Sequence, residues 1–483
     1  MQGSMGQDLA SCTRACCKPR ASGSHLITIA VALCMAWSVS GAEWVTDWAF
    51  VSKSGYVFWW RAASHLGPSV CLLFIAVPMM GAWHVHRLSG RLVFVLLGGL
   101  LPIVSMIVQA FGHLDVEREA LADYPMLGFV QAVLFGFTGY WLAKDKKEVG
   151  WLLRNLALCC AVGSTLGAFA RAASLEDYPF LVPSFPVRLI FLFGHCWYLR
   201  QWLALRQWRL GSLMGLVACA PEVWISFHKP IVFSASVASL FLIGYSIWIT
   251  KRPIIVLCRM AVLVVLAAVS IWVANAFTSG RVAQEVEEIV YTKFLKQDVG
   301  KQISLDDETL LKKASGGRLD LWEKALAQIG QNPLFGSGFD VAFVTENEGE
   351  NIYVHNWYLE LLLSVGCVGA LPVFAALLWW LRLVTRRRVI NQAGSLVMPC
   401  LACIVGLMAY NLGGSIRIFF SMTSFAVLLM AVCTRLADQS LAAASAACAR
   451  PRFPQDVDFR SGTSEFGKTG AQTVVARQRR LRS

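Results

Sequence analysis

The chain is dominated by apolar runs of the length that crosses a bilayer. Stretches of about 17 to 25 apolar residues bounded by charged or turn residues place spans near 26–42, 62–81, 92–111, 125–143, 155–173, 186–199, 210–227, 231–250, 257–277, 356–380, 395–412 and 417–434. Backbone N–H and C=O groups in lipid must be satisfied within the segment, so the pattern predicts an all-α fold. The expected fold is a polytopic membrane helix bundle of about twelve transmembrane helices with a long helical loop on the outer side. The expected organisation is a cytoplasmic N-terminal tail over 1–25, nine spans over 26–277 and an outer loop with amphipathic helices over 278–355. Three further spans follow over 356–434, then a basic, disordered cytoplasmic tail over 435–483. The first run follows Arg14, Lys18 and Arg20 and has the look of a signal peptide, but a polytopic chain needs none, so it is read as the first span.

Loop charge sets the orientation. One set of loops carries His84, His86, Arg87 and Arg91, then Lys144, Lys146, Lys147 and Arg154, then Arg200, Arg206 and Arg209, then Lys251 and Arg252, then Arg382 and Arg386 to Arg388. The alternating set carries Asp115, Glu117, Glu119 and Asp123, then Glu176 and Asp177, then the long loop, in which acids outnumber bases from Glu285 to Glu350. Basic residues stay on the cytoplasmic side, so both termini are expected in the cytoplasm and the long loop outside.

That loop has periodicity of its own. Val282, Val286, Ile289, Val290 and Phe294 form one helical stripe, and Ser304 with Asp307 makes a capping pair for a second helix. A third helix follows the glycines of SGGRLDLWEKALAQIG. Leu319, Trp322, Ala325, Leu326 and Ile329 share its apolar face, Asp320 and Glu323 suit its first turn, and Asn332-Pro333 ends it. An outer loop of this length with its own helices is usually functional.

Composition narrows the class. Soluble domains are about a quarter charged and under half apolar, whereas this chain is 15% charged and 56% apolar. An ordinary soluble enzyme and a disordered protein are both excluded. The net charge of +13 is accounted for by basic cytoplasmic loops, so the expected partner is membrane lipid and not nucleic acid. None of the 15 cysteines falls in the long loop, so no disulfide framework is expected. Cys400 and Cys403, a C-x-x-C inside an apolar run, are read as packing residues.

Few residues are placed for chemistry on the outer side. Arg318 opens the third loop helix, His355 sits in VHNWYLELLL where the loop re-enters the membrane, and Lys229 sits in SFHKP. A guanidinium offers a planar fork to phosphate oxygens, and free N–H groups at a helix start attract anions. Glu222, Ser226 and Lys229, spaced i, i+4 and i+7, are expected to share one face as a polar stripe. Spacing alone also allows an interfacial arginine, an ordinary interfacial histidine and a lysine that merely ends a span. No metal site or cofactor is expected, because His355 is the loop's one histidine and no H-x-x-H or H-x-x-x-H occurs. GSGFD is a turn rather than a phosphate loop, since no G-x-x-x-x-G-K follows.

The run SGGRLDLWEKALAQIGQNPLFGSGFD, followed about a dozen residues later by VHNWYLELLLSVGCVGAL, resembles the signature region of the O-antigen ligase and polymerase family. The shared pattern is an Arg-x-x-x-Trp amphipathic helix, an Asn-Pro-Leu-Phe-Gly-x-Gly turn, and His-Asn at the start of a span that continues to Gly-x-x-Gly. The resemblance implies a metal-independent glycosyltransferase at the periplasmic face of the inner membrane of a Gram-negative bacterium, with the helical outer loop over 278–355 periplasmic. It would take a glycan en bloc from an undecaprenyl diphosphate carrier and pass it to lipid A–core or to another glycan acceptor. The family's essential arginine falls on Arg318 and its essential histidine on His355. A further family arginine, in a Ser-Arg-Gly-like stretch, is replaced by Lys229, which keeps the charge and loses the fork. An acid often precedes the first glycine of the last motif, where this chain has Ser364-Val365-Gly366.

The residues suit that chemistry on their own terms. Breaking a sugar–diphosphate bond needs charge stabilisation of the leaving group and removal of a proton from the attacking hydroxyl. Arg318 and Lys229 would bind the diphosphate, with Arg417 in NLGGSIR as a third contact. A neutral His355 would accept the proton, and a protonated one acting on the leaving group is the reverse assignment. Two other functions compete: a repeat-unit polymerase of the same family, and a twelve-span transporter or flippase. The transporter draws on HRLSGRL after the second span, but the chain lacks six-plus-six symmetry about a long central cytoplasmic loop. The protein-glycosylating relatives carry extra C-terminal sequence on the outer side, unlike this basic tail, and the ligase reading is preferred.

Overall fold

The computed structural model describes residues 125–144, 146–172, 185–204, 210–225, 229–277, 318–336, 343–346, 350–413 and 420–449, together with Ala30, Val70 and Cys71. Apart from those three residues, the expected spans near 26–42, 62–81 and 92–111 lie outside the described residues. So do the stripe over 282–295 and the Ser304–Asp307 cap. Wherever the structure describes an expected span it contains a helix. These are α1 (Pro125–Leu142), α2 (Lys146–Ala172), α3 (Phe185–Leu203), α4 (Leu210–Ala220), α5 (Lys229–Thr250) and α6 (Pro253–Phe277). After the loop helix α7 (Arg318–Gln331) come α8 (Trp357–Val384), α9 (Arg387–Tyr410) and α10 (Phe420–Ala449). Five of these helices are long and apolar enough to cross a membrane: α2, α5, α8, α9 and α10.

The centre of the bundle is α9, which packs most heavily on α5 and α3. Its buried residues run from Val389 to Tyr410 and include Cys400 and Cys403, both fully buried as the packing reading expects. Small residues set the spacing, as in membrane bundles generally. A Cβ on Gly406 would lie 3.0 Å from the Ser234 carbonyl oxygen of α5, and one on Gly194 of α3 would lie 2.6 Å from Cys160 Cβ of α2. Trp380 of α8 is fully buried and donates to the Met430 carbonyl at 3.2 Å and to Thr434 Oγ1 at 3.1 Å, tying α8 to α10. At the C-terminal end of α3, Arg259 of α6 donates to the carbonyls of Trp202 and Ala204. That contact neutralises two acceptors a helix end leaves open.

Three features differ from the sequence expectation. The loop ahead of His355 contains an antiparallel hairpin, β1 (Phe343–Glu346) with β2 (Glu350–Tyr353), in an otherwise helical set of described residues. The last helix does not stop near 434 but continues to Ala449. The polar residues just past Arg435 find partners on α1 and the turn after it: Asp438 accepts from Tyr140 at 2.9 Å, and Gln439 donates to the Ala143 and Lys144 carbonyls. A helix whose polar groups are paired in this way needs no apolar run to persist. By contacts the chain divides into 1–441 and 442–483, and of the second unit the described residues are 442–449, all helical. Finally, Pro221–Ile225 at the end of α4 is a π turn.

Candidate functional site

The site is built on α7, which packs along the start of α8. Trp322, Ala325 and Ile329 of α7 form a small core with Val354, Leu359 and Leu363. The helix carries a narrower apolar face than its periodicity predicts, since Leu326 is 56% exposed. Trp322 Nε1 donates to the Val354 carbonyl at 3.2 Å. The tryptophan four residues after Arg318 therefore anchors the residue immediately before His355.

His355 has φ of +53°, a left-handed conformation uncommon for a residue with a Cβ. Its neighbours on both sides are held. Val354 is fully buried, and Asn356 caps α8 by accepting from the Tyr358 and Leu359 N–H groups at 3.1 and 3.2 Å. Two more bonds join this corner to the end of α9: Trp357 N–H donates to the Asn411 carbonyl at 3.0 Å, and Asn356 Nδ2 to the Leu412 carbonyl at 3.4 Å. Strained backbone of this kind persists only where the surroundings over-determine it, and here they do so directly at the candidate histidine.

Arg318, the first residue of α7, lies close enough to His355 to act on its titration. Burial chiefly, and then the Arg318 charge, hold the His355 imidazole below its ordinary 6.5. The ring is therefore biased to the neutral form at pH 7. Burial also lowers the Arg318 pKa, against a small opposing effect of Tyr410. Among the described residues no carboxylate forms an ion pair with Arg318. A Cβ on Gly413 would meet Arg318 Nη1 at 3.1 Å and Pro230 Cγ at 3.9 Å. The guanidinium thus lies where the end of α9 meets the first turn of α5, the helix that Lys229 opens. Arg417 lies outside the described residues.

The Asn-Pro-Leu-Phe-Gly turn after α7 closes the unit. α8 is broken at Gly366, whose φ of 59° and ψ of −169° lie outside the helical region. The N–H groups freed by the break are taken up by the turn: Cys367 donates to the Pro333 carbonyl at 2.9 Å and Val368 to that of Leu334 at 3.0 Å. Gly336, with φ of 73°, packs directly on the break, its missing Cβ only 2.6 Å from Gly366 N. The two glycine motifs of the sequence are therefore two halves of one backbone-to-backbone contact.

Sequence reasoning missed part of this arrangement and misread another. Of the expected stripe Glu222, Ser226, Lys229, Glu222 turns into the bundle instead of leading to the outer surface. Glu222 is fully buried in a π turn, and its Oε2 pairs with Arg188 Nε at 3.2 Å. Ser226 lies outside the described residues. Tyr410 and Glu360, 3% and 0% exposed, lie within electrostatic reach of each other, and Tyr410 also of Arg318. A lone acid within the leucines of NWYLELLL was the available signal for Glu360. Among the described residues no group of three His, Cys, Asp or Glu is placed to hold a metal ion.

A bundle of apolar helices with a half-buried arginine–histidine corner points to a multi-pass membrane protein. Residues 228–374, which run from the start of α5 through the Gly366 break, match the O-antigen ligase family model, Wzy_C, so this part of the chain is similar to the O-antigen ligase and polymerase family. No curated protein matches the chain. Members of that family are glycosyltransferase-like ligases and polymerases, which implies a glycan donor and an acceptor in general terms.

Proposed function

We propose that the chain is an O-antigen ligase that moves a glycan en bloc from undecaprenyl diphosphate to lipid A–core at the periplasmic face of the inner membrane. The bundle of about twelve spans, with 278–355 outside and both termini in the cytoplasm, is part of the same reading. One observation carries it: a half-buried arginine with no carboxylate ion pair among the described residues, beside a histidine biased to its neutral form. In the proposed step the acceptor hydroxyl attacks the anomeric carbon, and the hydroxyl proton passes to the neutral His355 imidazole. The bond from that carbon to the diphosphate oxygen breaks, and the diphosphate leaves with the electron pair. Arg318 and Lys229 bind the developing charge, with Arg417 as a further contact. Charge stabilisation comes from side chains in this scheme, so a chelator should not change transfer by purified protein, and metal-dependent transfer would overturn it.

Trp322→Phe tests how His355 is held. The ring contacts stay while the bond to the Val354 carbonyl goes, a loss of about 1 kcal/mol. Transfer should fall about five-fold with protein level unchanged. An unchanged rate would mean that Trp322 does not position the histidine.

The ligase assignment is decided by the lipopolysaccharide of a deletion strain. A ligase leaves core–lipid A without any O-antigen, while polymer of normal length stays on the lipid carrier. Bands carrying one repeat unit on core would instead mark a polymerase, and an unchanged ladder would exclude both.

A further inference from the structure

We propose that Leu334 and Phe335 form a wedge seated in bilayer hydrocarbon, on the leaflet facing the Arg318–His355 site, so that the loop segment bearing Arg318 is held at a set height over the membrane. The proposal rests on the multi-pass membrane reading and adds to it an element that lies within the outer loop by the pattern of apolar runs.

α8 has 28 residues, about 42 Å at 1.5 Å per residue, which exceeds a hydrocarbon core of about 30 Å. Part of the helix must therefore stand clear of the hydrocarbon. The break at Gly366 divides it. From Cys367 to Val384 the helix spans about 27 Å, close to one bilayer core, and its last turn carries Arg382. Side-chain exposure changes at the same place. Before the break, Leu361, Leu363, Ser364 and Val365 are buried, while beyond it Val368, Leu371 and Leu378 are 54%, 60% and 67% exposed. Exposed apolar side chains on a membrane helix face lipid.

Leu334 and Phe335 are 58% and 67% exposed and lie at the level of this transition, because the turn is hydrogen-bonded to Cys367 and Val368. They continue the exposed apolar surface of α8 outward by one step. Irregular backbone at membrane depth is tolerated only when its polar groups are satisfied. Three carbonyls of this turn are satisfied: those of Asn332, Pro333 and Leu334 accept from Gly336, Cys367 and Val368, and Pro333 has no N–H to satisfy. The remainder of α7 does not suit hydrocarbon, since Glu323 and Lys324 are exposed on a polar face shared with Asp320 and Ala327. The boundary therefore falls between that face and the turn. Arg318 and His355 are thereby set about two and a half turns of α8 above the hydrocarbon.

The test uses the full chain in proteoliposomes with a genetically encoded dansyl amino acid at one position, in lipids with or without acyl-chain bromines, which quench only on contact. Labels at Phe335, at Leu334 and at Leu378 on the lipid-facing side of α8 should lose most of their emission, and a label at Ala327 should lose little. If Leu378 is quenched while Leu334 and Phe335 behave like Ala327, the wedge is refuted and the membrane reading stands. If Leu378 is not quenched either, the multi-pass reading itself falls and the wedge with it. Should the Phe335 variant fail to insert, the Leu334 variant gives the same answer.

Discussion

Arg318→Ala and His355→Ala should each abolish glycan transfer, by about a hundred-fold or more, while the protein stays in the membrane at its normal level. Neither side chain holds the bundle together. The packing of α7 is carried by Trp322, Ala325 and Ile329, and the start of α8 is capped by Asn356 rather than by His355. Arg318→Lys should recover little, because a point charge cannot replace a bidentate fork on phosphate oxygens. Lys229→Arg should be tolerated, since it restores the residue that the family pattern carries. The pH profile checks the role given to the histidine. Burial and Arg318 lower its pKa, so a neutral base would make the rate rise with pH through a value below 6.5 and level off above it. A rate that falls across the same range would assign the protonated form instead. Loss of the protein from the membrane in either alanine variant would move these residues from chemistry to structure.

Gly366→Ala should dislodge the loop helix, a second effect of similar size. The new Cβ would lie 2.3 Å from the Leu334 carbonyl oxygen and 2.5 Å from Phe335 N, both backbone atoms with no rotamer to yield. The residue's φ of 59° with ψ of −169° is a glycine conformation, and strain of this kind costs about 1–3 kcal/mol. Expelling the turn also leaves the Cys367 and Val368 N–H groups without acceptors, at about 1–3 kcal/mol each. Transfer should drop by more than about ten-fold, and the segment around 332–336 should become cleavable by protease. Gly244→Ala is the control, because a Cβ there meets nothing within 4 Å. A Gly366→Ala protein with normal transfer and a protected turn would show that the contact does not hold the site.

The sequence by itself determined where the described spans lie, apart from the reach of α10, and which residues carry chemistry in the resemblance. Apolar runs of bilayer length report a local requirement, that backbone polar groups in lipid be satisfied within the segment. Each described span was legible for that reason. The amphipathic register of α7 was legible through Trp322, Ala325 and Ile329, which do face the core.

What only the tertiary structure decided depends on residues far apart in the chain. α10 extends past Arg435 because α1, almost three hundred residues earlier, supplies partners for Asp438 and Gln439. Glu222 leaves the expected stripe because Arg188 pairs with it inside the bundle. The left-handed turn at His355 requires Val354, Asn356 and the end of α9 to hold it from separate directions. Gly336 and Gly366 read as two unrelated glycines until the turn is seen to fill the broken ladder of α8. Periodicity records what a side chain's immediate environment must be. Which distant group supplies that environment is a matter of packing between helices, and that is where the Arg318–His355 corner is made.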